Sequence, residues 1–295
     1  MAATPTALRT ALLTTLALLC FAANSLLCRL ALGAGTIDAA SFSTVRLAAG
    51  AITLWLLARV STAGRREARP GRWRAGLMLC LYAVAFSFAY LSLSTGTGAL
   101  ILFGSVQVTM IAVALASGER PHALEWVGLA IALAGLVALV LPGLTAPPFL
   151  GAALMATAGF AWGLYSLLGR GAVDPLGETA SNFLRSVPLA AAVSLLTLDQ
   201  AHLSPRGIVL AVVSGALTSG LGYVVWFAAL RGLTATRAAT VQLAVPVLAA
   251  LGGVVTLAET VSLRLALAAL LILGGIGLAV AGRRRPPPPQ AANTA

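Results

Sequence analysis

Hydrophobic residues in this chain neither alternate nor recur on one helical face; they come in long, nearly unbroken runs. Ten such runs, each near the roughly 17 to 25 residues that a helix needs to cross a bilayer, are Leu8–Leu32, Ala39–Val60, Ala75–Leu93, Thr97–Ser117, Leu124–Leu141, Phe149–Leu168, Ala180–Leu198, Ile208–Leu230, Thr234–Leu257 and Leu263–Ala281. Helix breakers separate them: Gly33 and Gly35, Gly64 and Pro70, Gly96, Gly118 and Pro121, Pro142 to Pro148, Pro175 and Gly177, and Pro205. In lipid a backbone must satisfy its own polar groups, so runs of this length predict helices. The pattern therefore predicts an all-α integral membrane protein of ten transmembrane helices. The first run, with Arg9 ahead of it and Ala22-Ala23 inside it, has the outline of a signal peptide. A partner in the second half of the chain predicts that it is retained as a span.

Composition agrees. The 295 residues are 59% hydrophobic and only 9% charged, against roughly a quarter charged in soluble domains. The formal charge of +11 points at first to nucleic acid, but its placement points to a membrane. All 19 basic residues are Arg, and six of them (Arg59, Arg65, Arg66, Arg69, Arg72 and Arg74) crowd one connection. With the N-terminus inside, fourteen arginines fall on the cytoplasmic side, including Arg283 to Arg285, and only Arg29, Arg206 and Arg264 fall outside. The positive-inside rule then predicts an inner-membrane protein with both termini cytoplasmic. No connection is long enough for a nucleic-acid module. Cys20, Cys28 and Cys80 lie in apolar runs without CxxC spacing and read as inert thiols. The two histidines, His122 and His202, sit in connections without ligand spacing, and no phosphate loop or GxSxG is present. No enzyme, cofactor or metal site is expected.

The two halves repeat. Glu119 and Glu259 each end a long apolar helix 140 residues apart, and Gly135 with Gly275 and Leu93 with Leu233 keep that offset. Ser25-Leu-Leu-Cys-Arg29 reads against Ser166-Leu-Leu-Gly-Arg170 at 141, and Arg46 against Arg185 at 139. Five helices per half is odd, so the second half enters from the opposite face. The expected units are residues 1–143 and 144–282 as inverted five-helix repeats, with 283–295, carrying Pro286 to Pro289, as a disordered cytoplasmic tail.

Phe21-Ala-Ala-Asn24 followed by Arg46 resembles the opening of the EamA-type family of the drug/metabolite transporter superfamily. So do the stretch Gly222-Tyr-Val-Val-Trp226 through Arg231 to Ala239, and Gln242-Leu-Ala-Val-Pro246 through Glu259. The resemblance implies ten helices, cytoplasmic termini, and export or exchange of small metabolites. One departure is Val106, which stands where symmetry with Pro246 would place a second proline. The rival from another class is a non-transporting membrane scaffold or receptor-like subunit.

Candidate site residues follow from what is costly in hydrocarbon. No Asp or Glu lies centrally in any run, which disfavours proton coupling through a midplane carboxylate. Arg46 and Arg185 are the charges within spans; they either draw an anionic group from opposite mouths or pair with backbone carbonyls and helix ends. Tyr82, Phe86 and Tyr90 form one stripe at helical spacing, and Trp162 with Tyr165 and Tyr223 with Trp226 lie three apart. Such stripes are more often packing or lipid-facing surface, yet they also suit a cavity for an amphipathic metabolite. The amides Asn24, Gln107, Asn182 and Gln242 are expected to face inward, touching substrate or bonding helix to helix. The expected substrate-binding set is Asn24, Arg46, Tyr82, Phe86, Gln107, Trp162, Tyr165, Arg185, Tyr223, Trp226 and Gln242. The substrate would be a small molecule, such as an amino acid or another amphipathic carboxylate. Helices five and ten, almost wholly apolar, are expected to be peripheral scaffold or a homodimer surface.

Overall fold

The computed structural model describes residues 7–60, 73–118, 122–140, 148–257 and 263–281. The expected tail 283–295 and most of the arginine-rich connection lie outside the described residues. The elements are α1 (Ala7–Gly33), α2 (Ala39–Val60), α3 (Trp73–Ala89), α4 (Thr95–Ala116), α5 (Ala123–Val140), α6 (Phe149–Leu168) and α7 (Pro175–Leu196). Then come α8 (Pro205–Leu230), α9 (Ala235–Gln242, resuming as Ala244–Leu257) and α10 (Leu263–Ala281). Among the described residues there is no strand, only an isolated antiparallel bridge between Ile37 and Leu203.

Length and apolarity suffice for six of these helices to cross a membrane: α1, α2, α4, α6, α8 and α9. The helix of α3 stops at Ala89, so the apolar run to Leu93 ends in a turn, and α3 and α5 count as shorter apolar helices. Two prolines read as breakers instead begin helices. Asp174 caps α7, its carboxylate accepting from Gly177 N at 3.0 Å, with Pro175 as the first helical residue. Ser204 likewise accepts from Gly207 N at 3.2 Å ahead of Pro205. Proline at the first helical position removes an N–H that would be unpaired anyway and presets φ.

Within α8, Ser214–Leu221 winds as a π-helix, an irregularity that tends to mark functional places. It exists against α2. A methyl group on Gly215 would sit 2.0 Å from the carbonyl oxygen of Arg46, so only glycine lets these backbones touch.

Packing pairs the halves. α2 packs on α7, α3 on α6 and α7, α4 on α6, α1 on α8 and α9, and α2 on α8, while α5 packs chiefly on α10. Gly275 of α10 lies against the Gly128 carbonyl and Ala132 of α5. This pair stands beside α4 and α9 through Leu100, Leu129, Ala132, Leu243 and Val247, the peripheral position expected for two almost wholly apolar helices. Outward leucines such as Leu267, Leu270 and Leu273 remain exposed, as lipid-facing residues are in a chain whose solvent is a bilayer. The main buried cluster gathers Phe21, Phe42, Tyr82, Phe86, Trp162, Tyr165, Phe183, Tyr223, Trp226 and Phe227 from α1 to α3 and α6 to α8.

Candidate functional site

At the centre lies Arg46, fully buried and the one charged side chain among the described residues with that status. Its Nε donates to Ser219 Oγ at 2.9 Å, and its Nη2 donates to Tyr223 OH at 2.8 Å and Tyr82 OH at 3.3 Å. Its guanidinium carbon lies 5.3 Å from the Tyr82 ring centroid and 5.4 Å from that of Phe86, within cation–π range. Nη1 has no hydrogen-bond partner. No carboxylate pairs with Arg46 among the described residues; an ion pair between Arg237 and Glu125, at 3.5 Å, lies elsewhere.

Asn24 completes this group from α1. Its Nδ2 donates to Tyr82 OH at 3.3 Å, while its Oδ1 accepts from Ser214 at 2.7 Å and from Thr218 and Ser219, each at 3.4 Å. The π-helix makes this convergence possible. Ser214, Thr218 and Ser219 all reach one amide oxygen, a wider fan than one face of a straight α-helix presents. The group therefore draws on α1, α2 and α3 of the first half and on α8 of the second.

An aromatic wall adjoins it. Trp162 lies 4.7 Å from Tyr223, 5.0 Å from Tyr82 and 5.1 Å from Phe21, centroid to centroid. Phe21 also meets Trp226 at 5.5 Å. Trp162 Nε1 donates to Gln242 Oε1 at 2.7 Å, and Gln242 Nε2 donates back to the Ala238 carbonyl at 3.0 Å. Trp226 Nε1 donates to Ser166 Oγ at 3.2 Å. A small pocket lined by Phe21, Ser25, Tyr82, Leu102, Phe103 and Trp162 opens beside Tyr82.

The expected residues divide accordingly. Asn24, Arg46, Tyr82, Phe86 and Tyr223 share the polar group, and Trp162, Tyr165 and Trp226 form the wall with Gln242 behind it. The aromatic stripe of α3 is buried, not lipid-facing. Gln107 stands apart, donating to the Ala239 carbonyl between α4 and α9, with its Oε1 buried and unpaired. Arg185 is not brought to the group. It folds back on its own helix to the Ser181 hydroxyl and carbonyl and lies over Trp73, 5.8 Å from the centroid. The two arginines occupy matching places in sequence and in helix pairing, α2 on α8 and α7 on α3, but Arg46 finds Tyr82, Ser219 and Tyr223 while Arg185 finds Ser181 and Trp73 at the start of α3. Sequence reasoning missed Ser214, Thr218, Ser219 and Phe21. The hydroxyl cluster was the available signal, since small polar residues in an apolar run tend to bond across helices.

At one end of the bundle the α1–α2 and α7–α8 connections are joined by backbone. Asp38 N donates to the His202 carbonyl at 3.0 Å, and Ser204 N donates to the Thr36 carbonyl at 2.9 Å. The Asp38 carboxylate accepts from Ser41 N at 2.8 Å and His202 N at 2.9 Å. Partial burial pushes its pKa up, but these N–H donors outweigh that and hold it below the ordinary 3.8.

A chain of long apolar helices with a polar group sealed in its middle belongs to the class of multi-pass membrane proteins. The family model for the EamA-like transporter family matches residues 149–281. Over 277 residues the chain is 52% identical to Uncharacterized protein PA1977 of Pseudomonas aeruginosa, covering 93% of this chain and 96% of that one. A solved crystal structure of a protein superposes with a TM-score of 0.78 at 21% identity, over 94% of this chain and 99% of the other, and shares the fold. The chain belongs to the EamA-like transporter family and is a membrane transporter of the drug/metabolite type.

Proposed function

We propose that this transporter is a secondary carrier that exports or exchanges small amphipathic metabolites, carboxylates among them, by alternating access at the Arg46–Tyr82–Tyr223 group. The observation that carries this reading is Arg46 itself. A charge inside a membrane span costs several kcal/mol and defaults to function, and this one is held by hydroxyls from both halves of the chain. The fold reading is ten spans as two inverted repeats in the inner membrane, with both termini cytoplasmic. Exchange of the halves in the packing scheme supports it. Adding five to, or subtracting five from, each helix number turns α3–α6 into α8–α1, α4–α6 into α9–α1 and α3–α7 into α8–α2, all of which are packed pairs. An inverted repeat places the site between its halves and lets one half rock against the other. The joined connections at Asp38 and His202 are, on this reading, the closed external gate.

The test is transport by purified protein in liposomes preloaded with mixed amino and organic acids, followed by mass spectrometry of what leaves. Loss of particular solutes, absent from protein-free liposomes, is expected. Well-folded protein that moves no solute would make the chain a scaffold.

A further inference from the structure

We infer that the transported molecule is a net monoanion, a carboxylate on a flat apolar body, and not a zwitterion. This rests on the central site proposed above and narrows its substrate. Arg46 keeps its charge at any physiological pH, and its Nη1 is buried with no partner while Nε and Nη2 are bonded. A guanidinium edge left open in a buried site matches a carboxylate oxygen, which accepts a charge-assisted hydrogen bond and also neutralises the buried cation.

The same surroundings reject an ammonium. Arg46 is the one buried charge among the described residues and is bonded only to hydroxyls, so a cation beside it would gain no counter-charge from its immediate partners. The Tyr82 and Phe86 rings already lie beneath the Arg46 guanidinium and are not free to take a second cation. An α-ammonium adjacent to the bound carboxylate would also face the guanidinium at short range, where like charges repel. The apolar body would meet aromatic and aliphatic surface as the halves part, since the sealed site holds space for little more than one water. The pocket of Phe21, Ser25, Tyr82, Leu102, Phe103 and Trp162 shares Tyr82 with the arginine and presents mostly aromatic and aliphatic surface.

Four probes with one carbon skeleton separate charge from shape: 3-phenylpropionate, 3-phenylpropan-1-ol, 3-phenylpropylamine and phenylalanine. Binding to the full chain in detergent is read by thermal shift and by quenching of tryptophan fluorescence; counterflow is read in liposomes. We expect 3-phenylpropionate to bind and exchange, and phenylalanine, the alcohol and the amine to bind at least about tenfold more weakly. Arg46→Gln should abolish the preference for the anion, and Arg46→Lys should keep it with reduced affinity. Should Arg46→Gln fail to fold, the wild-type protein still decides. Its affinity for 3-phenylpropionate should be flat at neutral pH and fall once the ligand's own carboxyl is protonated. Equal binding of phenylalanine or the alcohol, or binding of none of the four, overturns the monoanion assignment. Transport of any other solute in the mixed-solute assay would still leave the carrier reading standing.

Discussion

Tyr223 and Arg46 exchange a 2.8 Å hydrogen bond between the two halves of the chain, which makes Tyr223→Phe a sharper probe than any truncation. The ring and its packing on Trp162 survive, and only the hydroxyl goes. Hydrogen bonds to charged groups contribute roughly 1.5–3 kcal/mol, so apparent substrate affinity should fall about tenfold or more in counterflow, with expression unchanged. Trp162→Ala, Tyr223→Ala and Gln242→Ala should each impair transport at near-normal protein levels. Wild-type transport by all three would remove the aromatic wall from the site. Asp38 gives a second, pH-dependent outcome. Its folded pKa is depressed, so its contribution to stability is present above the ordinary value of 3.8 and is lost as pH falls through the folded value. Thermal unfolding in detergent should therefore weaken below about pH 4 partly through this residue. Asp38→Asn should shrink that acid-side loss while lowering stability at pH 7.

For the elements, the joint between α2 and the π-helical part of α8 decides where Ser219 and Tyr223 stand. Gly215 lies on the Arg46 backbone, and a methyl there would overlap its carbonyl. Gly215→Ala must push α8 away from α2, a shift of the kind that costs roughly 1–3 kcal/mol when cores are overpacked. It should lower the unfolding temperature and reduce transport together. Gly104→Ala is the control, because a methyl on Gly104 of α4 meets nothing within 4 Å; stability and transport should hold. A tolerated Gly215→Ala would mean that the π segment does not position the site. Hydrophobic runs announced every one of these helices, since a bilayer selects for length and apolarity alone. They did not announce the π-helix, which depends on which neighbour α8 lies against.

Over the whole molecule, inversion of the halves is open to a direct check. Reporter fusions after Arg74, Glu178 and Arg285 should read cytoplasmic, and fusions after Gly35 and Thr145 external. A cytoplasmic signal at Thr145 would break the inverted arrangement, because an odd number of crossings must separate it from the N-terminus. The packed pairs add a physical expectation. Since α5 and α10 lie chiefly on each other and only flank α4 and α9, polar substitutions on their shared face should lower stability without changing substrate preference.

The sequence by itself determined that the chain lives in lipid, that it is helical, and which residues are too polar to face hydrocarbon. Those properties follow from local composition, and a bilayer enforces them run by run. It also singled out Asn24, Arg46, Tyr82 and Tyr223, because an amide, a guanidinium or a phenol in an apolar run has few tolerable environments. Tertiary structure alone decided which candidates meet. Arg46 and Arg185 are indistinguishable by position in their repeats, yet one is sealed among Ser219, Tyr82 and Tyr223 while the other lies back on Ser181 and Trp73. The helix joints themselves match, with Gly215 of α8 against Arg46 and Gly76 of α3 against Arg185, so the difference lies in the side chains that surround each guanidinium. Contacts between helices far apart in sequence depend on which side chains meet at the joint, and no single run carries that information.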